Sequence, residues 1–153
     1  MTVQTKSYID RLIGDSPEAP IVQCIIFPNG DLFRFERTIG LMENQEHIKF
    51  LEKSTIDCYF EQNGSEKVSS CFSTTSAENS EYIAYAGEGS FGGDGIIYVI
   101  KKADSQLLWF LFSDSSNPFS TVEIQENIII AISTFSKRWT IPIRSPEKLR
   151  IGT

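Results

Sequence analysis

The sequence predicts a mainly β fold with one or two short helices (α+β), in which an antiparallel meander forms a sandwich or a partly open barrel. Short apolar runs recur with turn signals every ~8–12 residues, which is typical of these architectures. Hydrophobic residues make up 41% of the 153 residues, enough to build a core. The length fits a single globular domain over residues 1–153.

The first predicted elements are a helix and a hairpin. Residues 4–13 carry apolar side chains at helical spacing, and residues 14–20 end the helix because proline cannot continue it. A β-branched run follows at residues 21–27. Asn-Gly at positions 29–30 is then the strongest short hairpin signal. Residues 32–37 alternate apolar and charged side chains, as a half-buried strand should.

The central part of the chain predicts a helix, a second hairpin and a loop. Residues 42–53 are rich in helix formers and favour a short amphipathic helix, with a loop as the alternative. Residues 55–61 and 66–74 favour two strands joined at a second Asn-Gly pair, positions 63–64. Small polar residues at 73–80 indicate a loop.

The second half of the chain predicts a meander. Residues 96–102 and 107–113 form a third hairpin, residues 121–124 and 128–134 form two further strands, and residues 138–143 form the last one. The runs that begin at positions 107 and 128 are apolar on both faces, so they are expected at central positions in their sheets. Trp109 lies in the predicted strand at residues 107–113 and Trp139 in the one at residues 138–143, and both are expected in the core.

The sequence favours a cytoplasmic location. No run reaches the ~18 apolar residues that span a bilayer, and the polar N-terminus lacks a secretory apolar segment. The chain has three cysteines, and this small, odd number disfavours a disulfide scaffold and fits a reducing compartment.

The charge distribution favours a cationic partner. The formal net charge is −6, and residues 68–100 and 103–136 each contain four acidic residues and no Lys or Arg. Such stretches disfavour nucleic-acid binding by phosphate neutralisation. Opposite fields speed the encounter with a basic protein. The alternative is that the negative charge only keeps the protein in solution.

The glycine-rich stretch at residues 87–95 matches the Gly-x-Gly-x-x-Gly pattern of nucleotide loops. Those loops need a helix immediately afterwards, whereas residues 96–100 favour a strand. The stretch is therefore expected to be a turn, or a partner-binding loop with Phe91 as an exposed aromatic anchor. The predicted partner-binding residues are Glu88, Phe91, Asp94, Asp114 and Asn117.

No catalytic, metal-binding or cofactor-binding arrangement is expected. His47 is the sole histidine and adjoins no nucleophile motif, so it is expected on the surface. One histidine and three widely spaced cysteines exclude the usual zinc frameworks, and no calcium-loop pattern occurs.

The chain resembles small acidic bacterial immunity proteins of contact-dependent and polymorphic toxin systems, in its size, its acidity and its strand-turn-strand C-terminal half. The segments that carry the resemblance are Leu108-Trp109-Phe110, Ser116-Asn117-Pro118-Phe119, Arg138-Trp139, Pro142 and Pro146-Glu147. The resemblance implies a cytoplasmic protein paired with one cognate toxin.

The expected function is therefore that of a protein-binding inhibitor, an immunity protein that masks the active site of a cognate basic toxin, such as a nuclease, with an acidic surface. The alternatives are a small β-barrel ligand-binding or structural protein, and a hydrolase that uses carboxylates in a central cavity.

Overall fold

Two antiparallel sheets, one of nine strands and one of four, contain most of the ordered elements. The computed structural model describes residues 1–38 and 44–153, with 51% of residues in strands and 14% in helices. Within these ranges the sheets do not close into a barrel. The predicted mainly β fold class is confirmed.

The bounds of the elements are as follows. The helices are α1 (Val3–Leu12) and α2 (Ile56–Asn63), and a 3-10 helix spans Pro146–Lys148. The nine-stranded sheet contains β1 (Glu18–Pro20), β2 (Cys24–Ile26), β3 (Asp31–Thr38), β4 (His47–Phe50), β5 (Ser54–Thr55), β6 (Val68–Glu78), β7 (Tyr82–Gly89), β8 (Gly95–Lys101) and β9 (Leu107–Ser113). The four-stranded sheet contains β10 (Phe119–Gln125), β11 (Ile128–Ser133), β12 (Arg138–Pro142) and β13 (Arg150–Gly152).

The sheets are joined along one side and open along the other. The large sheet has the order β1-β6-β7-β8-β9-β2-β3-β4, with β5 also paired to β3, and the small sheet follows chain order. At the joined side Gln45 bridges to Gly152, and the Glu46 N–H donates to Ile151 O at 2.8 Å. At the open side β10 lies against β6 and β7. Within the described residues, β10 forms no strand pairing with β6 or β7.

The core has two layers, one on each face of the nine-stranded sheet. Between the sheets lie Trp109, Trp139 and Phe119, all essentially inaccessible to water. On the outer face of the large sheet, α1 and α2 cover a second cluster that includes Leu12 and Phe112. The order of layers is therefore small sheet, large sheet, helices, and the predicted burial of both tryptophans is confirmed.

Most of the predicted strands and hairpins are present. In the first hairpin β2 pairs with β3, and Gly30 has φ +98° with its N–H donating to Phe27 O at 2.9 Å. The β8–β9 and β10–β11 hairpins and strand β12 also match their predictions. Strand β9 lies between β8 and β2, and β11 lies between β10 and β12, so both predicted central positions are confirmed.

The predicted strand at residues 55–61 is wrong, because this segment forms α2. Thr55 caps the helix, with its side chain accepting the Cys58 N–H at 3.1 Å. Ile56 and Phe60, four residues apart, bury one helical face. The second Asn-Gly pair ends the helix, where Gly64 has φ +89°.

Replacing Thr55 with Ala tests this capped helix. We expect the free energy of unfolding to fall by ~1 kcal/mol, because the N-cap oxygen that accepts a helical N–H is lost. Chemical denaturation measures the change. Thr55→Ser keeps that oxygen and should stay close to the parent protein. Equal losses for the two variants would contradict the capping role.

The predicted helix at residues 42–53 is wrong for the described part, residues 44–53; Met42 and Glu43 lie outside the described residues. His47–Phe50 forms β4, which pairs antiparallel with β3. Ile48 and Phe50 are half-buried, whereas His47 and Lys49 are exposed. This two-residue period fits a strand on a half-buried sheet, and it outweighs the helix propensity of the flanking residues.

The predicted loop at residues 73–80 is also wrong over most of its length, because β6 continues to Glu78. Thr75 and Ala77 are half-buried and alternate with the exposed residues Thr74, Ser76 and Glu78, and β7 supplies the pairing partner. Polar residues form a strand here because one neighbouring strand satisfies their backbone groups and one face packs on the core. Strand β6 therefore pairs with β7 and β1, not with residues 55–61.

Candidate functional site

The glycine-rich turn and the loop after β9 lie side by side at one end of the nine-stranded sheet. Gly95 pairs with Ser113 where β8 begins and β9 ends, and it also pairs with Glu88 on β7. The Asn117 N–H donates to Gly93 O at 2.8 Å, which joins the loop to the turn. The structure thus brings together two segments that the β8–β9 hairpin separates in the sequence.

Asp94 lies inside this turn. Asp94 is 2% exposed, and its Oδ2 accepts hydrogen bonds from the Ser69 hydroxyl at 2.9 Å and from the Phe91 N–H at 3.3 Å. The Ser90 N–H donates to Ser69 Oγ at 3.0 Å. Gly89 is needed for close packing, since a Cβ there would lie 2.5 Å from Asp94 Oδ2. Asp94 therefore supports the turn from within, and its carboxylate is not on the exposed surface.

The turn between β11 and β12 adds a third segment to this end. The Thr134 N–H donates to Pro118 O at 2.9 Å, and Phe135 follows with 73% of its surface exposed. Phe91 on the first turn is 61% exposed. Asn117 is hydrogen-bonded to the turn that carries Phe91, and Pro118 is hydrogen-bonded to the turn that carries Phe135. Both phenylalanines therefore border the same loop. Exposed aromatic residues on supported turns are typical of protein contact sites.

We call this region the end-loop surface. It consists of Glu88, Phe91, Asp114, Asn117 and Phe135. Asp114 is exposed, and Asn117 is half-buried with φ +65°. Four of these residues were predicted from the sequence, whereas Phe135 was missed. The available signal was an aromatic residue in a short polar turn between two strands.

A buried ion-pair network holds the loop against the fold. Arg37 donates to both oxygens of Glu46, at 2.7 and 2.8 Å, and the Glu46 side chain is 1% exposed. The Arg37 guanidinium also donates to Ser115 Oγ at 2.9 Å and lies 5.0 Å from the Trp139 ring centroid. Lys137 approaches Glu46 at 3.8 Å. The network therefore connects β3 and β12 with the loop after β9 and with the turn between β11 and β12.

The acidic residues of the two unopposed stretches are distributed over several parts of the molecule. Three of the eight pair with cations, Glu78 with Lys102 at 3.2 Å, Glu81 with Arg144 at 3.6 Å and Asp104 with Lys101 at 3.5 Å. A fourth, Asp94, is buried. The remaining four, for which residues 1–38 and 44–153 provide no ion pair, are Glu88, Asp114, Glu123 and Glu126. The first two belong to the end-loop surface and the others lie toward the opposite end of β10. Of these eight acidic residues, Glu88 and Asp114 are therefore the two that give the end-loop surface unpaired negative charge.

A cleft of about 1040 Å³ adjoins the end-loop surface at Asp114. Strands β3 and β5, helix α2 and residues 21–23 form its walls. Its charged lining residues are Arg34, Arg37, Lys53, Lys67, Glu36, Glu52 and Asp114. The cleft therefore offers both signs of charge to a polar ligand, unlike the aromatic end-loop surface.

The two buried cysteines, Cys24 and Cys71, are not suited to act as nucleophiles. Burial raises the pKa of the Cys71 thiol to about 12, and the nearby Asp94 charge contributes to the rise. Burial raises the pKa of Cys24 even further above its ordinary value. Both thiols therefore stay protonated at neutral pH.

The sole histidine, His47, is exposed on β4. The described residues contain no cluster of three His, Cys, Asp or Glu side chains suited to a metal ion.

Comparisons with models of known protein families, with curated proteins and with solved structures found no match. Neither α1 nor α2 has the length and apolar content of a bilayer-spanning helix, and these are the α-helices of the described residues. The function is therefore inferred from the geometry and chemistry of the end-loop surface.

Proposed function

We propose that the chain is a protein-binding inhibitor that docks onto a basic partner protein through the end-loop surface. The observation that carries this proposal is the pair of exposed phenylalanines, Phe91 and Phe135, on turns bonded to one loop. Aromatic side chains on rigid supports bury much apolar area at low entropic cost, so they are suited to anchor an interface.

Carboxylates beside these anchors favour a basic partner. Glu88 and Asp114 lie at the same end of the sheet and form no ion pair with another described residue. A cationic surface would gain attraction from both groups, which increases the rate of association. Among the eight acidic residues of the two unopposed stretches, the contribution at this surface is limited to Glu88 and Asp114, because the other six are paired, buried or distant.

The resemblance to immunity proteins implies a cognate basic toxin as the partner, and we propose that the end-loop surface masks the active site of that toxin. A nuclease fits this proposal because such an active site attracts phosphate with Lys and Arg. We place the complex in the cytoplasm, and the three free thiols are compatible with a reducing compartment.

The proposal predicts that a basic, toxin-like protein is encoded beside this chain, and the test is a titration with that purified protein, using Phe91→Ala/Phe135→Ala as the main variant. We expect binding to weaken by about 30-fold or more, since each anchor contributes to a cluster worth ~2 kcal/mol or more. Glu88→Gln/Asp114→Asn should slow association several-fold, and more so at low salt.

The matched control is Glu61→Gln/Glu66→Gln, which removes two exposed carboxylates near α2 and should leave the association rate close to that of the parent chain. Circular dichroism verifies that each variant is folded. Unchanged affinity of the Phe91→Ala/Phe135→Ala variant would exclude the end-loop surface. A neighbouring basic protein that does not bind the parent chain would exclude the proposed partner.

A further inference from the structure

Strand β6 has a long outer edge that only its first residues use for pairing. The strand has 11 residues, whereas β1 has three and pairs with Ser70, Ser69 and Val68. The Cys71 N–H donates to Pro17 O at 2.9 Å, and the chain then leaves the edge. In the described parts of the chain, no segment pairs with the outer edge of residues 72–78.

The composition of this edge lacks two common barriers to strand addition. Residues 68–77 contain no charged residue and no proline. Natural edge strands are often blocked by lysine or proline, or by a bulge. Here an irregularity lies between Ser73 and Thr75, which leaves residues 75–78 as a regular stretch beyond it. Phe72, 56% exposed, lies on the same strand.

We propose that the outer edge of β6 pairs with the same edge of a second copy of this chain, so that the two large sheets become one across a twofold axis. The occupant must be an extended strand, because the unpaired groups are backbone N–H and C=O. This proposal goes beyond the proposed function and does not depend on it.

Two features favour a second copy as the occupant. Residues 72–77 of this edge carry no charge and Glu78 at its end pairs with Lys102, so the edge can face itself with little like-charge repulsion. Twofold-related copies of one strand run antiparallel, and β1 shows that this edge already accepts an antiparallel strand. One strand pair buries less than the roughly 1,200 Å² of stable interfaces, so the dimer forms weakly and depends on concentration.

Sedimentation velocity over roughly 10 µM to 1 mM tests the proposal, since this range covers weak interfaces. We expect the mass to rise with concentration from 17.3 kDa toward twice that value. Thr74→Lys/Ser76→Lys places like charges on both copies of the edge and should weaken self-association about tenfold or more. Both positions are exposed, so the single chain tolerates the change.

A control and a rescue make the test specific. Gln62→Lys/Gln106→Lys adds the same charge at exposed positions away from β6 and should dimerise like the parent chain. A mixture of Thr74→Lys/Ser76→Lys with Thr74→Glu/Ser76→Glu should restore dimers, because opposite charges then face each other. A parent chain that stays at 17.3 kDa throughout would overturn the proposal. Lysine variants that dimerise like the parent chain would overturn it too.

Discussion

Replacing Glu46 with Ala lowers the free energy of unfolding by about 3–5 kcal/mol, because it leaves the Arg37 guanidinium without its buried carboxylate. Arg37 donates to both Glu46 oxygens and its own side chain is 12% exposed, so water cannot replace the lost partner efficiently. Urea denaturation followed by tryptophan fluorescence measures the change.

A surface pair provides the comparison for this variant. Glu81→Ala breaks an exposed contact with Arg144 at 3.6 Å and should cost less than ~1 kcal/mol. If Glu46→Ala were as mild as Glu81→Ala, the buried network would not hold the fold together.

Replacing Trp109 with Ala is expected to cost about 3–5 kcal/mol, since a large side chain between the two sheets is removed and a cavity remains. Trp109 is 1% exposed, and its indole N–H donates to Ile143 O at 2.8 Å, which links the large sheet to the segment after β12. Thermal and urea denaturation both report the loss.

The conservative variant separates packing from the hydrogen bond. Trp109→Phe keeps most of the apolar volume and should cost less than Trp109→Ala, with the remaining loss arising from the unpaired Ile143 carbonyl and from the smaller ring. A small effect of Trp109→Ala, below ~1 kcal/mol, would be incompatible with a packed inter-sheet core.

The hairpins could be predicted because their signals are local, but the same local signal has two outcomes. Gly30 and Gly64 both follow Asn and both have positive φ, at +98° and +89°. The first lies between strands and the second ends a helix. The difference comes from Ile56 and Phe60, whose burial against the large sheet selects a helix over a strand. Such a tertiary contact is not contained in the dipeptide.

Strand β6 shows why the polar elements were missed. Its Ser- and Thr-rich second half has no apolar run, and it forms a strand because β7 pairs with it from Ser73 to Glu78. The short strand β1 likewise depends on a partner distant in sequence, at residues 68–70. Pairing of this kind is set by the assembled sheet and not by local composition.

The candidate site was predictable in its composition but not in its assembly. Glycines, Phe91 and three acidic residues marked the turn and the loop, but their proximity depends on the pairing of Gly95 with Ser113. Phe135 joins the surface through the Thr134–Pro118 hydrogen bond, which no sequence pattern indicates. Asp94 is inside the turn because Ser69 on a neighbouring strand provides its partner.

Hydrogen exchange of the chain with and without the neighbouring basic protein tests the end-loop surface as a whole. Binding there should slow exchange in three segments together, residues 90–94, 113–118 and 134–137, and leave α1 and α2 unchanged. Protection confined to the helical face, or to the cleft residues between β3 and α2, would contradict docking through Phe91 and Phe135.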